Sequence, residues 1–84
     1  MTYWYGLTKA YVLVTCDRGA EDFVVSSLKS TDSVNLATGV FGTYDVLSKL
    51  EAKSEDTLRD VVTKKIRKLG GIKGTTTLNV ISHK

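Results

Sequence analysis

The chain has 84 residues, 42% hydrophobic and 25% charged, with a formal net charge of +3. That balance describes one small folded domain, which excludes a disordered polyelectrolyte and is too mildly basic for a dedicated nucleic-acid binder. The single Cys16 excludes an intramolecular disulfide, and no run approaches the roughly 20 apolar residues of a membrane span, so a cytoplasmic protein is expected.

Residues 1–8 form a short extension holding Tyr3, Trp4 and Tyr5, three of the seven aromatic residues. Docking onto a second subunit, covering the domain's own sheet edge and a loose end are all open for it. The domain itself is expected over residues 9–82. Lys9 to Cys16, KAYVLVTC, is β-branched and aromatic and reads as a buried strand. Asp17-Arg18-Gly19 is turn chemistry. AEDFVVSSLKS then places Ala20, Phe23, Val24 and Leu28 at helical spacing, with Glu21 and Asp22 at the favourable N-terminal end of the dipole.

Ser33 to Phe41 returns to alternation, with Val34, Leu36, Thr38 and Val40 on one side. Tyr44 to Ala52 alternates again and sets Val46, Ser48 and Leu50 against Leu47, Lys49 and Glu51. Ser54 is a candidate N-cap, followed by Glu55 and Asp56. The helix after it presents Leu58, Val61, Val62, Ile66 and Leu69 on one face and stops at Gly70-Gly71. Thr75 to Ser82 is the last strand.

The order is strand, helix, strand, strand, helix, strand. Two interleaved right-handed βαβ halves give a ferredoxin-like α+β sandwich. Its four-stranded antiparallel sheet carries both helices on one face. The other face must meet water or a partner, and an open sheet face lined with β-branched and apolar residues is a candidate dimer interface.

The hairpin loop VFGTYD offers the clearest chemistry. Gly39 and Gly42 permit positive φ and a close approach of backbone N–H groups, a concavity suited to a carboxylate. Asp45 places a negative charge nearby, suited to an ammonium. Together these are the needs of an α-amino acid. A bulged turn in which Asp45 bonds its own backbone explains the same residues.

The run from Lys9 to Ile81 resembles the effector-binding (RAM) domain of the Lrp/AsnC family of feast/famine transcription regulators. The likeness is carried by AYVLVTCDRG before the first helix, TGVFGTYDVLSKLEA, SEDTLRDVV and GIKGTTTLNVI. The resemblance implies dimers packed sheet to sheet, assembling further into rings such as octamers. It also implies a small effector, typically an amino acid, held between dimers. Gly42, Thr43 and Tyr44 would then meet its carboxylate, Asp45 its amino group, and Thr75 and Thr77 would line the pocket. Full-length members begin with a helix-turn-helix domain, whereas eight residues precede the first strand here. A stand-alone, non-catalytic sensing and oligomerisation module is therefore expected, without sequence-specific DNA binding of its own. A full-length Lrp/AsnC regulator is a candidate partner, and a purely structural, ligand-free role in such a hetero-assembly is the alternative.

Other classes fare worse. The basic run KKIRK, Lys64 to Lys68, reads as a solvated helix end, although cations of this kind also contact phosphates. An RNA-recognition domain shares the element order but needs aromatics inside its third strand, and YDVLSKLEA has only Tyr44 at the start. For catalysis the chain offers His83 near the C-terminus, Cys16 as a small buried hydrophobe, and Tyr44-Asp45 with no paired base. Cys16 and His83 make no metal motif by spacing. No catalytic residue, cofactor or metal is expected.

Overall fold

The computed structural model describes residues 8–81. Tyr3, Trp4 and Tyr5, Ser82 and His83 lie outside the described residues, and the readings attached to them are left there. Strands β1 (Thr8–Cys16), β2 (Val34–Gly39), β3 (Val46–Ala52) and β4 (Ile72–Asn79) form one sheet in the order β2-β3-β1-β4. All three neighbouring pairs are antiparallel. Helix α1 (Glu21–Lys29) connects β1 to β2, and α2 (Glu55–Asp60) follows β3. This is the expected ferredoxin-like βαββαβ sandwich.

Strict alternation builds the core from β1 and β3. Ala10, Val12, Val14 and Cys16 are buried on β1, and Val46, Ser48, Leu50 and Ala52 on β3. They meet Val24 and Leu28 of α1 and Leu58, Val61, Val62 and Ile66 of the second helical stretch. Each fully buried Val or Leu contributes about 1.5–3 kcal/mol. The polar member of this set, Ser48, donates from Oγ to the Val12 carbonyl at 2.9 Å, so its hydroxyl is satisfied.

Three elements depart from the sequence pattern. In β2 the register slips between Val34 and Leu36: Val34 faces Leu50, while Leu36 faces Lys49. Two residues of β2 thus oppose one of β3, and the bulge sends Val34 to the helix side but Leu36 and Thr38 to the open side. The even-numbered set of β2 does not share a face, and Ala37 is the buried residue of the strand. In α1, Phe23 is 56% exposed, because the core-facing stripe runs through Val24 and Leu28 and leans toward Val25. The second helix begins as expected, with Ser54 Oγ accepting from the Thr57 N–H at 3.2 Å. It then widens into a π-helical segment, Val61–Ile66, with an i→i+5 bond from the Arg67 N–H to the Val62 carbonyl at 2.9 Å. The apolar face is the expected one, but its hydrogen bonding is not α-helical throughout.

The chain leaves this helix through Gly71 at φ +88°, where an added Cβ would lie 2.9 Å from the Ala20 side chain. The Gly71 carbonyl accepts from the Asp17 N–H at 2.7 Å, which ties the helix exit to the β1–α1 turn. Strand β4 starts at Ile72, earlier than expected, because Ile72 pairs with Cys16 across a bulge in the β1–β4 ladder.

Helix α1 lies over β2 and β3, and α2 over β1 and β3. The helix side of the edge strand β4 is therefore largely uncovered. Thr77 is paired with buried Val12 and Thr75 with buried Val14, which puts both threonines on that side. The opposite, open face carries two rows across the strands. One runs Leu36, Lys49, Tyr11, Leu78, and the next runs Thr38, Leu47, Leu13, Thr76.

Candidate functional site

The β2–β3 loop is closed by the Val40 N–H donating to the Asp45 carbonyl at 2.9 Å. Gly42 adopts φ +122° with open space where a Cβ would sit, so the turn itself requires a glycine. Gly39 does not take positive φ; it ends β2 as an ordinary strand residue opposite Val46. One glycine, not two, carries the conformational demand. Thr43 is exposed beside it.

Asp45 is held from both ends. Its backbone N–H donates to the Val14 carbonyl at 2.8 Å, and its Oδ2 accepts from the Cys16 N–H at 2.9 Å. The β1–β3 ladder ends at Val14–Val46, so the Cys16 amide lies beyond the last strand partner and the carboxylate supplies it. The Asp45 side chain bonds neither its own turn nor a neighbour in sequence; its partner lies on another strand. Asp45 also lines a cavity of about 350 Å³ with Glu21, Gly39, Val40 and Phe41. Two carboxylates on this wall favour a cationic group. They also act on Cys16: burial pushes its thiol pKa up, and the Asp45, Glu21 and Asp17 charges add to the rise while Lys73 opposes it.

Tyr44 leaves this cavity for the open face, where its hydroxyl lies 3.2 Å from Thr76 Oγ1. Thr75 and Thr77 occupy a different place. They line a second cavity of about 350 Å³, between the uncovered side of β4 and the second helix, with Leu58, Val62, Arg59 and Arg67. One chain thus divides the six expected site residues. Gly42, Thr43 and Asp45 stay at the hairpin, Tyr44 reaches the open face, and Thr75 and Thr77 flank the helix.

The residues beside those threonines escape a reading of the sequence alone. Leu58 and Val62 look like ordinary core positions, and Arg67 like one cation of a solvated run. The only available signal is the uncovered edge strand, and that depends on the three-dimensional strand order. Among the described residues no three His, Cys, Asp or Glu side chains converge as metal ligands. No described helix is long and apolar enough to cross a membrane.

Comparison with known proteins bears on the family and the fold. Residues 9–84 match the model of the family described as the Lrp/AsnC ligand binding domain. The crystal structure of FFRP-DM1 is similar at 32% identity, TM-score 0.84, over 88% of this chain and 99% of that one. The hypothetical protein PHS023 from Pyrococcus horikoshii matches at 32% identity and TM-score 0.84, over 90% of this chain and 92% of its own. E. coli AsnC matches at 25% identity and TM-score 0.84 over 94% of this chain, but only 53% of AsnC is covered. No match to a curated protein sequence was found.

Proposed function

Because the chain belongs to the Lrp/AsnC ligand-binding-domain family, we propose that it is a non-catalytic module that senses a small metabolite, an amino acid by its site chemistry, and modulates transcription through its state of assembly. The observation that carries this reading is the division of the candidate site. The hairpin supplies an acidic wall and a glycine turn, while the threonines and an apolar wall lie beside the second helix. A seam between copies joins a loop of one to the groove of another. There the loop N–H groups take the effector's carboxylate, Asp45 takes its ammonium, and the threonines line the remainder.

Assembly begins at the open sheet face. Leu13, Leu36, Leu47, Leu78 and Tyr11 share it, and Leu36 and Leu78 are about half exposed in the single chain. A sheet-to-sheet dimer covers them, and dimers then meet at the effector seam to build a ring. Binding at the seam stabilises whichever assembly it fits better, and that differential affinity is the signal. A full-length relative carrying a DNA-binding domain is the partner through which the signal reaches a promoter.

The bond from the Cys16 N–H to Asp45 favours a second reading, in which the loop is a structural clamp and the chain a ligand-free scaffold in a hetero-assembly. A thermal-shift screen of the twenty amino acids, confirmed by calorimetry, separates the two. A ligand present at about 100 times its Kd adds about 2.7 kcal/mol, an easily read shift. Asp45→Asn keeps an acceptor for Cys16 while removing the charge, and it is expected to abolish the hit. A flat screen with an intact oligomer favours the scaffold.

A further inference from the structure

The uncovered side of β4 is lined by two adjoining cavities rather than one. The first, about 350 Å³, lies against Leu58 and Val62; the second, about 380 Å³, is lined by Ile72, Lys73 and Gly74. Arg67 and Thr75 belong to both, so the two form a trough along the strand. Its charged lining is Arg59, Arg67 and Lys73 against Glu55 alone. Arg59 already pairs with Asp56 at 3.4 Å, whereas neither Arg67 nor Lys73 has an ion-pair partner among the described residues. The π-helical bond between the Arg67 N–H and the Val62 carbonyl brings a cation and an apolar wall to the same cavity.

We propose that the effector is a small acid, an amino acid whose side chain bears a second negative charge. This rests on the seam reading above, in which the loop of one copy takes the α-carboxylate and α-ammonium. The side chain then runs into the trough of the other copy. Its methylenes lie on Leu58 and Val62, and its carboxylate meets Arg67, with Lys73 beyond it and the Thr75 hydroxyl beside it. A guanidinium without a competing carboxylate forms its strongest hydrogen bonds to an anion, so a neutral side chain of the same shape is the weaker ligand. The KKIRK run, ordinary as a solvated helix end, here contributes one residue to specificity.

The test is calorimetry on the full chain with L-glutamate and L-glutamine, which differ in charge but hardly in shape. Glutamate is expected to bind about tenfold more tightly, and the preference to shrink with added salt. Arg67→Met keeps much of the stem and removes the charge; it is expected to erase the preference while leaving glutamine affinity within about twofold. Arg67→Lys is expected to restore part of the preference. Glutamine or leucine binding as tightly as glutamate, with Asp45→Asn still abolishing binding, overturns the acidic class and leaves the seam reading standing. No binding by any of the twenty amino acids overturns both. A glutamate preference unchanged in Arg67→Met removes Arg67 from the site.

Discussion

The Asp45 carboxylate accepts from the Cys16 N–H at 2.9 Å across 29 positions of sequence, binding the mouth of the hairpin to the end of the central strand. The bond makes one residue serve two ends: it closes β1 and holds the acidic wall of the loop cavity in place. Asp45→Ala is therefore expected to lower stability by about 1–2 kcal/mol in urea unfolding, because it strands a partly buried amide. Asp45→Asn should lose about half as much. Equal losses for the two variants would mean that the charge, not the acceptor, matters to folding.

Gly71 pairs a left-handed φ of +88° with a Cβ position 2.9 Å from the Ala20 side chain. Both strain and overlap oppose any side chain there, and Gly71→Ala should cost about 1–3 kcal/mol. The neighbouring Gly70 has open space and no positive φ, so Gly70→Ala should stay within about 0.5 kcal/mol of wild type. Matching chemical denaturation curves for the two variants would contradict this.

Cys16 gives a pH dependence with a definite sign. Its pKa is raised by burial and by Asp45, Glu21 and Asp17, so the folded chain holds the thiol proton more firmly than the unfolded chain does. Above the ordinary thiol value of 9.0 the unfolded state releases that proton first. Stability should then fall as pH rises through and beyond that value, and be independent of this group below it. Cys16→Ala is expected to flatten the alkaline slope in a pH series of melting curves. A steepened slope would reverse the assignment.

Leu36 and Leu78 share a row of the open sheet and are 46% and 52% exposed in the single chain. Leu36→Glu and Leu78→Glu should each leave secondary structure intact by circular dichroism. In the proposed sheet-to-sheet dimer each substitution would bury an unpaired carboxylate, which costs several kcal/mol, so sedimentation should show each shifting from dimer toward monomer. A dimer that survives both substitutions places the interface on another surface.

What the sequence disclosed, and what it withheld, follows from how local each determinant is. The β-branched run of β1, the alternation of β3 and the Ser54 cap act within a few residues, and all three were readable. The faces of β2 were not, because a bulge leaves no mark on period-two spacing: Val34 and Leu36 look equivalent until Lys49 and Leu50 choose between them. The tie from Asp45 to Cys16 joins distant strands, and no turn pattern announces it. Separation of Thr75 and Thr77 from the hairpin depends on β4 taking the sheet's outer edge, a property of the whole topology. The six-residue π segment likewise leaves the apolar spacing of Leu58, Val62 and Ile66 intact.

The extra residue in β2 acts as a phase shifter between two surfaces that must otherwise keep step. Upstream of it Val34 belongs to the interior; downstream, Leu36 and Thr38 belong to the exterior, and the hairpin inherits that setting through Gly39 and Val46. Were Asn35 to enter the ladder opposite Lys49, Leu36 would turn inward against a filled core, Ala37 would turn outward, and the row shared with Tyr11 and Leu78 would lose its end. Removing Asn35, by contrast, leaves Val34 opposite Leu50 and Leu36 opposite Lys49. The deletion keeps the identity of both surfaces and takes away only the local kink and twist that the bulge adds.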